Sequence, residues 1–292
     1  MTTLLAFVTV AAFGTWIPLA QLLPGVPQRS RIFYVAVGNL VVAAIALLAG
    51  GGRLELGWRG FWLPLAGGAI WTAGNYSAFK ASETIGLARA AGTWTPLNII
   101  VAFAWGALLF GELDHFSGTR FAILGVALLA VLAGVLLIVS SQGGPATAPS
   151  PRAAMAAEPG RSTATARGGL LWAGAAGLLW GSYFVPAQWA AVPAQVSNFP
   201  LAIGILGAAL ALALPAGEPV RLGLRPAATQ LGAGVLFGIG DLTLLGLVAR
   251  VGTGTGFTIA SSACWSTPAS ASGPSTCPSR GRPRQGRCWP AS

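Results

Sequence analysis

Apolar residues in this chain come in long unbroken runs, without the alternation of an amphipathic strand or the single stripe of a soluble helix. Each run is about 20 residues long, roughly what an α-helix needs to cross a 30 Å hydrocarbon core. The runs predict spans over residues 3–23, 32–48, 61–81, 84–110 and 119–139. Polar punctuation separates them. Pro24, Pro27, Arg29 and Arg31 follow the first span, and Arg53, Glu55, Trp58 and Arg59 follow the second. Gly111, Glu112, Leu113, Asp114 and His115 follow the fourth. The Thr93-Trp94-Thr95-Pro96 stretch predicts a break or bend within the fourth span, since proline removes a helical amide donor. The first run is long and has no basic start, so it is expected to remain as a true span and not to be cleaved as a signal peptide.

Residues 142–168 are rich in Pro, Ala, Ser, Thr and Gly and predict a flexible linker. Spans resume over 169–191, 199–214 and 229–249, and a further one starts at 252–260. Residues 261–292 then turn to Ser, Pro, Cys and Arg, a composition that can neither span a bilayer nor build a core. The organisation expected is a first five-helix repeat (1–141), a linker (142–168), an incomplete second repeat (169–260) and an aberrant basic tail (261–292). A truncated or frame-shifted second half accounts for the tail best, because it begins inside a predicted helix; a natural basic tail is the alternative.

The two halves echo each other. Gly68, Trp71, Gly74, Asn75 and Ile85-Gly86 fall on Gly234, Phe237, Gly240, Asp241 and Val251-Gly252 at an offset of 166. Gly14-Thr-Trp-Ile-Pro-Leu-Ala-Gln21 matches Gly181-Ser-Tyr-Phe-Val-Pro-Ala-Gln188 at 167. Two collinear matches predict an internal duplication. An odd number of spans per half gives the halves opposite orientations, the inverted-repeat plan of many secondary transporters. The fold class expected is an all-α polytopic membrane protein built on ten helices, the last one or two missing or aberrant.

Composition agrees. The chain is 54% hydrophobic and 8% charged, too few charges to cover a water-facing surface. Of the net charge of +10, four arginines (Arg280, Arg282, Arg284, Arg287) sit in the tail with all three cysteines, Cys264, Cys277 and Cys288. Neither a disulfide framework nor a thiolate metal site is therefore expected in the membrane body. The remaining cations are scattered over short loops, which suits juxtamembrane anchoring and not nucleic-acid binding. An external N-terminus places Arg29, Arg31, Lys80, Arg89, Arg152, Arg161, Arg167, Arg221 and Arg225 inside and Arg53, Arg59, Arg120 and Arg250 outside. The positive-inside rule leans that way.

The duplicated plan, the Trp71-x-x-Gly74-Asn75 run followed by Lys80 and Ile85-Gly86, and Phe110-Gly111-Glu112 together resemble the drug/metabolite transporter superfamily. Within it the chain is most similar to the glucose/ribose porter branch of sugar uptake permeases. Gly238-Ile239-Gly240-Asp241 resembles that branch's Gly-Ile-Gly-Asn, with Asp241 in place of the amide. The resemblance covers about residues 3–260 and stops where a Ser-Gln-Leu type ninth helix would continue. It implies a plasma-membrane sugar permease driven by an ion gradient. A metabolite or drug exporter on the same scaffold, and a non-transporting remnant, are the alternatives.

Polar groups inside membrane helices are costly unless paired or hydrated and so mark candidate sites. Asp241, the acid nearest a mid-helix position, could bind a coupling proton or accept hydrogen bonds from a sugar hydroxyl; a structural interhelical bond is the plainer reading. Its counterpart Asn75 can donate and accept, and is expected to face Asp241 across a central cavity. Trp16, Trp71, Trp94 and Tyr183 offer flat faces for the C–H side of a sugar ring, beside Asn98 and Gln188 for its hydroxyls. Trp180 and Gln21 belong to the same mixture. Lys80, the only lysine, is either a snorkelling interfacial residue or a cation at the pathway mouth. Glu83 and Arg89 are expected to pair at the turn after the third span. His115 has no neighbour at metal-ligand spacing, so no metal is expected, and neither a cofactor nor an enzyme constellation is visible. The expected partners are a small sugar-like substrate, protons and membrane lipid, with self-association left open.

Overall fold

The computed structural model describes residues 1–23, 25–51, 57–113, 163–214 and 221–261, together with parts of 117–137. Every described element is helical. In chain order these are α1 (Thr2–Gln21), α2 (Gln28–Ala49), α3 (Trp58–Ile85), α4 (Leu87–Leu109), α5 (Thr163–Trp180), α6 (Val185–Trp189), α7 (Ala194–Ala213), α8 (Leu224–Val251) and α9 (Thr253–Ser261). Six described helical segments, within α1, α2, α4, α5–α6, α7 and α8, are long and apolar enough to cross a membrane. The chain is a multi-pass membrane protein. Helix α3 is as long as α8 but less apolar, because it turns Gly67, Gly68, Thr72, Gly74, Asn75 and Ser77 to neighbouring helices.

Helices α3 and α8 have the same length and matching ends. Each begins after an extended glycine, Gly57 or Gly223, and each stops at a glycine with positive φ, Gly86 at +85° and Gly252 at +84°. That left-handed conformation is open to glycine at little cost and ends a helix sharply. Positions 58 and 85 map onto 224 and 251, the 166-residue displacement seen in the sequence. The neighbours map in the same way. Helices α1 and α2 pack on α8, while α5 and α7 pack on α3. Helix α2 also packs on α7, and α4 on α9.

Two glycine crossings set the depth of this packing. A Cβ on Gly234 would run into the Val35 carbonyl, and one on Gly38 into the Leu231 carbonyl. Across the other pair, a Cβ on Gly68 would strike the Leu201 carbonyl and one on Gly204 the Leu65 carbonyl. Lipid offers no hydrophobic drive for helix association, so close backbone approach at small residues supplies the dispersion contacts instead.

Short connections between successive helices alternate the bundle ends. Gly169 meets Thr84 and Ile85, which puts the start of α5 beside the end of α3. The Leu222 amide lies 3.4 Å from the Tyr34 hydroxyl, which puts the start of α8 beside that of α2. Arg29, Arg31, Lys80, Arg89, Arg167, Arg221 and Arg225 therefore share one end, and Arg59 and Arg250 the other. Trp58 and Trp62 pack with their ring centroids 5.0 Å apart near that second end and are exposed there, as interfacial tryptophans are.

Two expectations need correction. The span predicted over 169–191 is present as one apolar segment, Arg167–Trp189, but its helix is interrupted, with α5 and α6 separated by a turn at residues 181–184. Pro186 sits in the first turn of α6, where a missing amide costs nothing, and cannot continue α5. Conversely α4 has no break at residues 93–96, where a break or a bend was expected. Pro96 withholds an amide from the Gly92 carbonyl without ending the helix, and Thr93 bonds back to the Arg89 carbonyl at 3.1 Å. Of the span predicted over 119–139, the described residues from Thr119 to Leu137 are helical, with Ile123, Val126 and Leu129 exposed. Of the linker predicted over 142–168, residues 163–168 are instead helical, as the first turns of α5, while 142–162, together with Asp114, His115 and the tail beyond residue 261, lie outside the described residues.

Candidate functional site

Where α1, α3 and α4 face α5, α8 and α9, they line a partly open cavity of about 80 Å³. Its lining is mostly aromatic. Trp71 and Phe237 lie 4.3 Å apart and 35° from parallel, and Trp16 meets them at 6.0 and 5.3 Å. Trp94 and Trp180 close another side, edge to face at 5.4 Å. Tyr183 and Phe257, 6.2 Å apart, complete the aromatic lining.

Glycines on α5 and in the turn after it bring these rings together. A Cβ on Gly177 would lie 2.9 Å from the Trp94 carbonyl, and one on Gly181 2.9 Å from the Asn98 carbonyl. α5 can thus lie directly on α4, which sets Trp180 and Tyr183 beside Trp94 and Asn98. The Trp105 indole donates to the Ser182 hydroxyl at 2.9 Å and ties the turn down.

Polar groups are few and unequally placed. Thr95, Asn98, Tyr183, Ser261 and the indole N–H groups of Trp16, Trp71, Trp94 and Trp180 contribute them, and none of the described lining residues is charged. Thr95 Oγ1, Asn98 Oδ1 and Trp180 Nε1 are buried and have no hydrogen-bond partner among the described residues. Each such group costs about 1–3 kcal/mol unless something else satisfies it. The Tyr183 hydroxyl donates to Asp241 Oδ1 at 2.7 Å, whereas Asp241 Oδ2 has no described partner.

Of the residues expected from sequence, Trp16, Trp71, Trp94, Asn98 and Tyr183 line the cavity. Asp241 stands one layer back, behind Tyr183. Asn75 is fully buried in α3 outside the lining, its carboxamide without a described partner. The Asn75–Asp241 pairing across a cavity is not found, because Asp241 turns to Tyr183. Gln188 lies away from the cavity and accepts a 2.8 Å bond from the Thr253 hydroxyl. Lys80 is half-exposed at the end of α3 and pairs with Glu83 at 3.6 Å, so Glu83 takes Lys80 and not Arg89 as its partner.

Sequence reasoning missed Phe13, Thr95, Phe237 and Phe257 as lining residues. The repeat held a signal for two of them, since Phe13 maps onto Trp180 and Phe237 onto Trp71. Glu112 lies in the loop after α4, as expected, but its partner there was not foreseen. That carboxylate accepts the amides of Thr253, at 2.5 Å, and Gly254, at 3.2 Å. An acid there satisfies two otherwise unpaired donors at the start of α9 and meets the positive end of its dipole.

A family model described as "Sugar transport protein" matches residues 4–265, a range that contains all nine helices described above except the first two residues of α1. Two curated relatives from two strains of Staphylococcus epidermidis, both called "Putative ribose uptake protein RbsU", are each 31% identical over 128 residues. That overlap is 44% of this chain and 42% of theirs, so the chain spans less than half the length of these relatives. No solved structure matches the chain. With the cavity residues from Phe13 to Ser261 all inside the matched range, the chain belongs to the sugar transport protein family.

Proposed function

We propose that this protein is a secondary-active permease that carries a free sugar across the plasma membrane by alternating access around the aromatic cavity, with protons as the coupling ion. The observation that carries the reading is the pairing of cavity residues by the repeat. Trp16 with Tyr183, Phe13 with Trp180, and Trp71 with Phe237 are equivalent positions in the two halves, and all six line one cavity. Residues 1–141 and 169–260 are read as inverted halves, and their matching helix ends and exchanged neighbours support this. A site shared by two opposed halves can open to either side as one half rocks against the other.

The remaining parts fit that scheme. Indole faces take the apolar side of a sugar ring, and the unpaired polar atoms take its hydroxyls. Asp241 is the coupling residue in this reading, since a proton on its carboxylate cancels a charge inside the membrane. The cationic end of the bundle faces the cytoplasm and the N-terminus lies outside. The ribose uptake proteins share part of this chain, which makes D-ribose the first sugar to test.

A second reading is export of organic cations. The box of Trp16, Trp71, Trp94, Trp180 and Tyr183, with Asp241 behind it, supports this alternative, because aromatic faces and a carboxylate attract cations. Uptake into proteoliposomes separates the two. Labelled D-ribose or D-glucose accumulating under an inward proton gradient, and collapsing with a protonophore, is the expected result. Choline moving against that gradient while neither sugar does would replace the sugar reading.

A further inference from the structure

The two ends of the bundle are held differently. At the end shared by Trp58 and Arg250, the start of α9 is fastened to the segment that follows α4. Glu112 accepts the Thr253 and Gly254 amides, and the Thr253 hydroxyl donates to Gln188 Oε1 at 2.8 Å. Thr253 is fully buried there. Glycines let the parts meet. A Cβ on Gly254 would run into the Phe103 ring, and one on Gly106 or Gly252 would crowd the Glu112 carboxylate. The Trp105 bond to Ser182 ties α4 to the turn before α6, so Glu112 and Gln188 stand on one packed unit. Helix α9 packs on α8 and α1 as well as on α4. The three bonds therefore join the α4–α6 side of the cavity to the α8–α9 side. Phe257, a lining residue, follows Thr253 by one helical turn, about 6 Å. The fastening thus lies just beyond the cavity, toward the Trp58 end.

The repeat puts the counterparts of these groups at the opposite end. Gly252-Thr253-Gly254 maps onto Gly86-Leu87-Ala88, Gln188 onto Gln21 and Glu112 onto Pro278. Leu87 has no hydroxyl and Pro278 no side-chain acceptor, so this chain cannot build the same fastening twice. The start of α4 accordingly has no side-chain cap. We propose that Glu112, Thr253 and Gln188 form a latch that holds the Trp58 end of the pathway shut. Lacking the counterpart latch, the protein rests open toward the other end. The inference rests on the reading of the protein as an alternating-access permease. Opening the latched end requires the start of α9 to part from Glu112 and Gln188. Water entering there can take over the freed amides and carboxylate, so the latch biases the equilibrium without fixing it. A substrate reverses the bias only by binding the other form more tightly.

Cysteine accessibility in the full-length protein tests this. In a background with Cys264, Cys277 and Cys288 replaced by serine, Ile17→Cys puts a thiol in the cavity lining, and Trp58→Cys in a separate chain marks the latched end. An impermeant maleimide is added to whole cells and to inside-out vesicles. With Glu112 intact, Ile17→Cys is expected to react about tenfold more slowly from the side that labels Trp58→Cys than from the other side. Glu112→Ala should raise the slow rate by about tenfold and lower the fast one, the effect of losing hydrogen bonds to a carboxylate. Thr253→Val keeps both amides on Glu112 and loses one hydroxyl bond, so it should shift both rates the same way by about threefold. If Glu112→Ala fails to reach the membrane, Thr253→Val decides. Unchanged rates in both variants, or faster labelling of the unaltered latch from the Trp58 side, overturns the latch and leaves the permease standing. So does a rise from both sides, which is what loss of a helix cap alone would give. Absence of both D-ribose and D-glucose uptake into proteoliposomes removes the permease reading, and this inference with it.

Discussion

Tyr183 donates a 2.7 Å hydrogen bond to Asp241 from the lining of the central cavity, so the one fully buried carboxylate among the described residues is reached through a phenol that itself lines the site. Under the proposed coupling role, a substrate in the cavity against Tyr183 would act on this bond and so on the protonation of Asp241.

Asp241→Asn is therefore expected to abolish proton-driven accumulation of sugar in proteoliposomes while binding and gradient-free exchange persist. Tyr183→Phe, which leaves the carboxylate without its donor, is expected to retain transport but alter its pH dependence. Accumulation by Asp241→Asn equal to that of the unaltered protein would falsify the coupling role.

Cysteine labelling checks the opposed orientation of the halves. Trp58 and Leu224 are equivalent under the 166-residue displacement and are 75% and 89% exposed. In a background with Cys264, Cys277 and Cys288 replaced by serine, Trp58→Cys should react with an impermeant maleimide added outside whole cells. Leu224→Cys should react only after permeabilisation. Labelling of both from the same side contradicts inverted halves.

The glycine crossings predict a contrast within one helix. A Cβ at Gly204 meets the Leu65 carbonyl, whereas one at Gly207 has nothing within 4 Å. Gly204→Ala should lower stability by about 1–3 kcal/mol, the usual cost of overpacking, and Gly207→Ala should be close to neutral. Thermal unfolding of the detergent-solubilised protein reads the difference, and equal effects would mean that the crossing does not limit packing.

Removing the cap on α9 has a separate signature. Glu112→Ala strips the acceptor from the amides of Thr253 and Gly254 and should cost about 0.5–2 kcal/mol, as loss of a helix N-cap does. Glu112→Gln keeps one acceptor oxygen and should lose less. Unfolding midpoints that rank the two variants the other way would argue against a capping role.

Lys80→Ala, by contrast, should leave sugar binding unchanged and shift stability by less than about 1 kcal/mol. Its pairing with Glu83 is solvent-exposed on both sides, and such pairs contribute little. A large loss of transport in this variant would return Lys80 to the pathway.

Sequence and tertiary structure contributed different parts of this account. Long apolar runs were enough to predict the spans, because a helix in lipid must satisfy its own backbone within about 20 residues, a local requirement. The proposed duplication was read from collinear matches that include Gly86 and Gly252, the two glycines whose positive φ ends α3 and α8. Aromatic residues at repeat-related positions, Trp16 and Tyr183 above all, were picked out for the same reason. What no local pattern could supply was the direction of each polar side chain. Asn75 and Asp241 are equivalent in sequence, yet only Asp241 has a tyrosine within reach. Glu112 looks like a loop acid until α9 begins beside it, and Thr95 looks like part of a helix break until Gly177 lets α5 close over it. Those outcomes depend on which helix crosses which, at glycines far apart in the chain, and tertiary packing alone decides that.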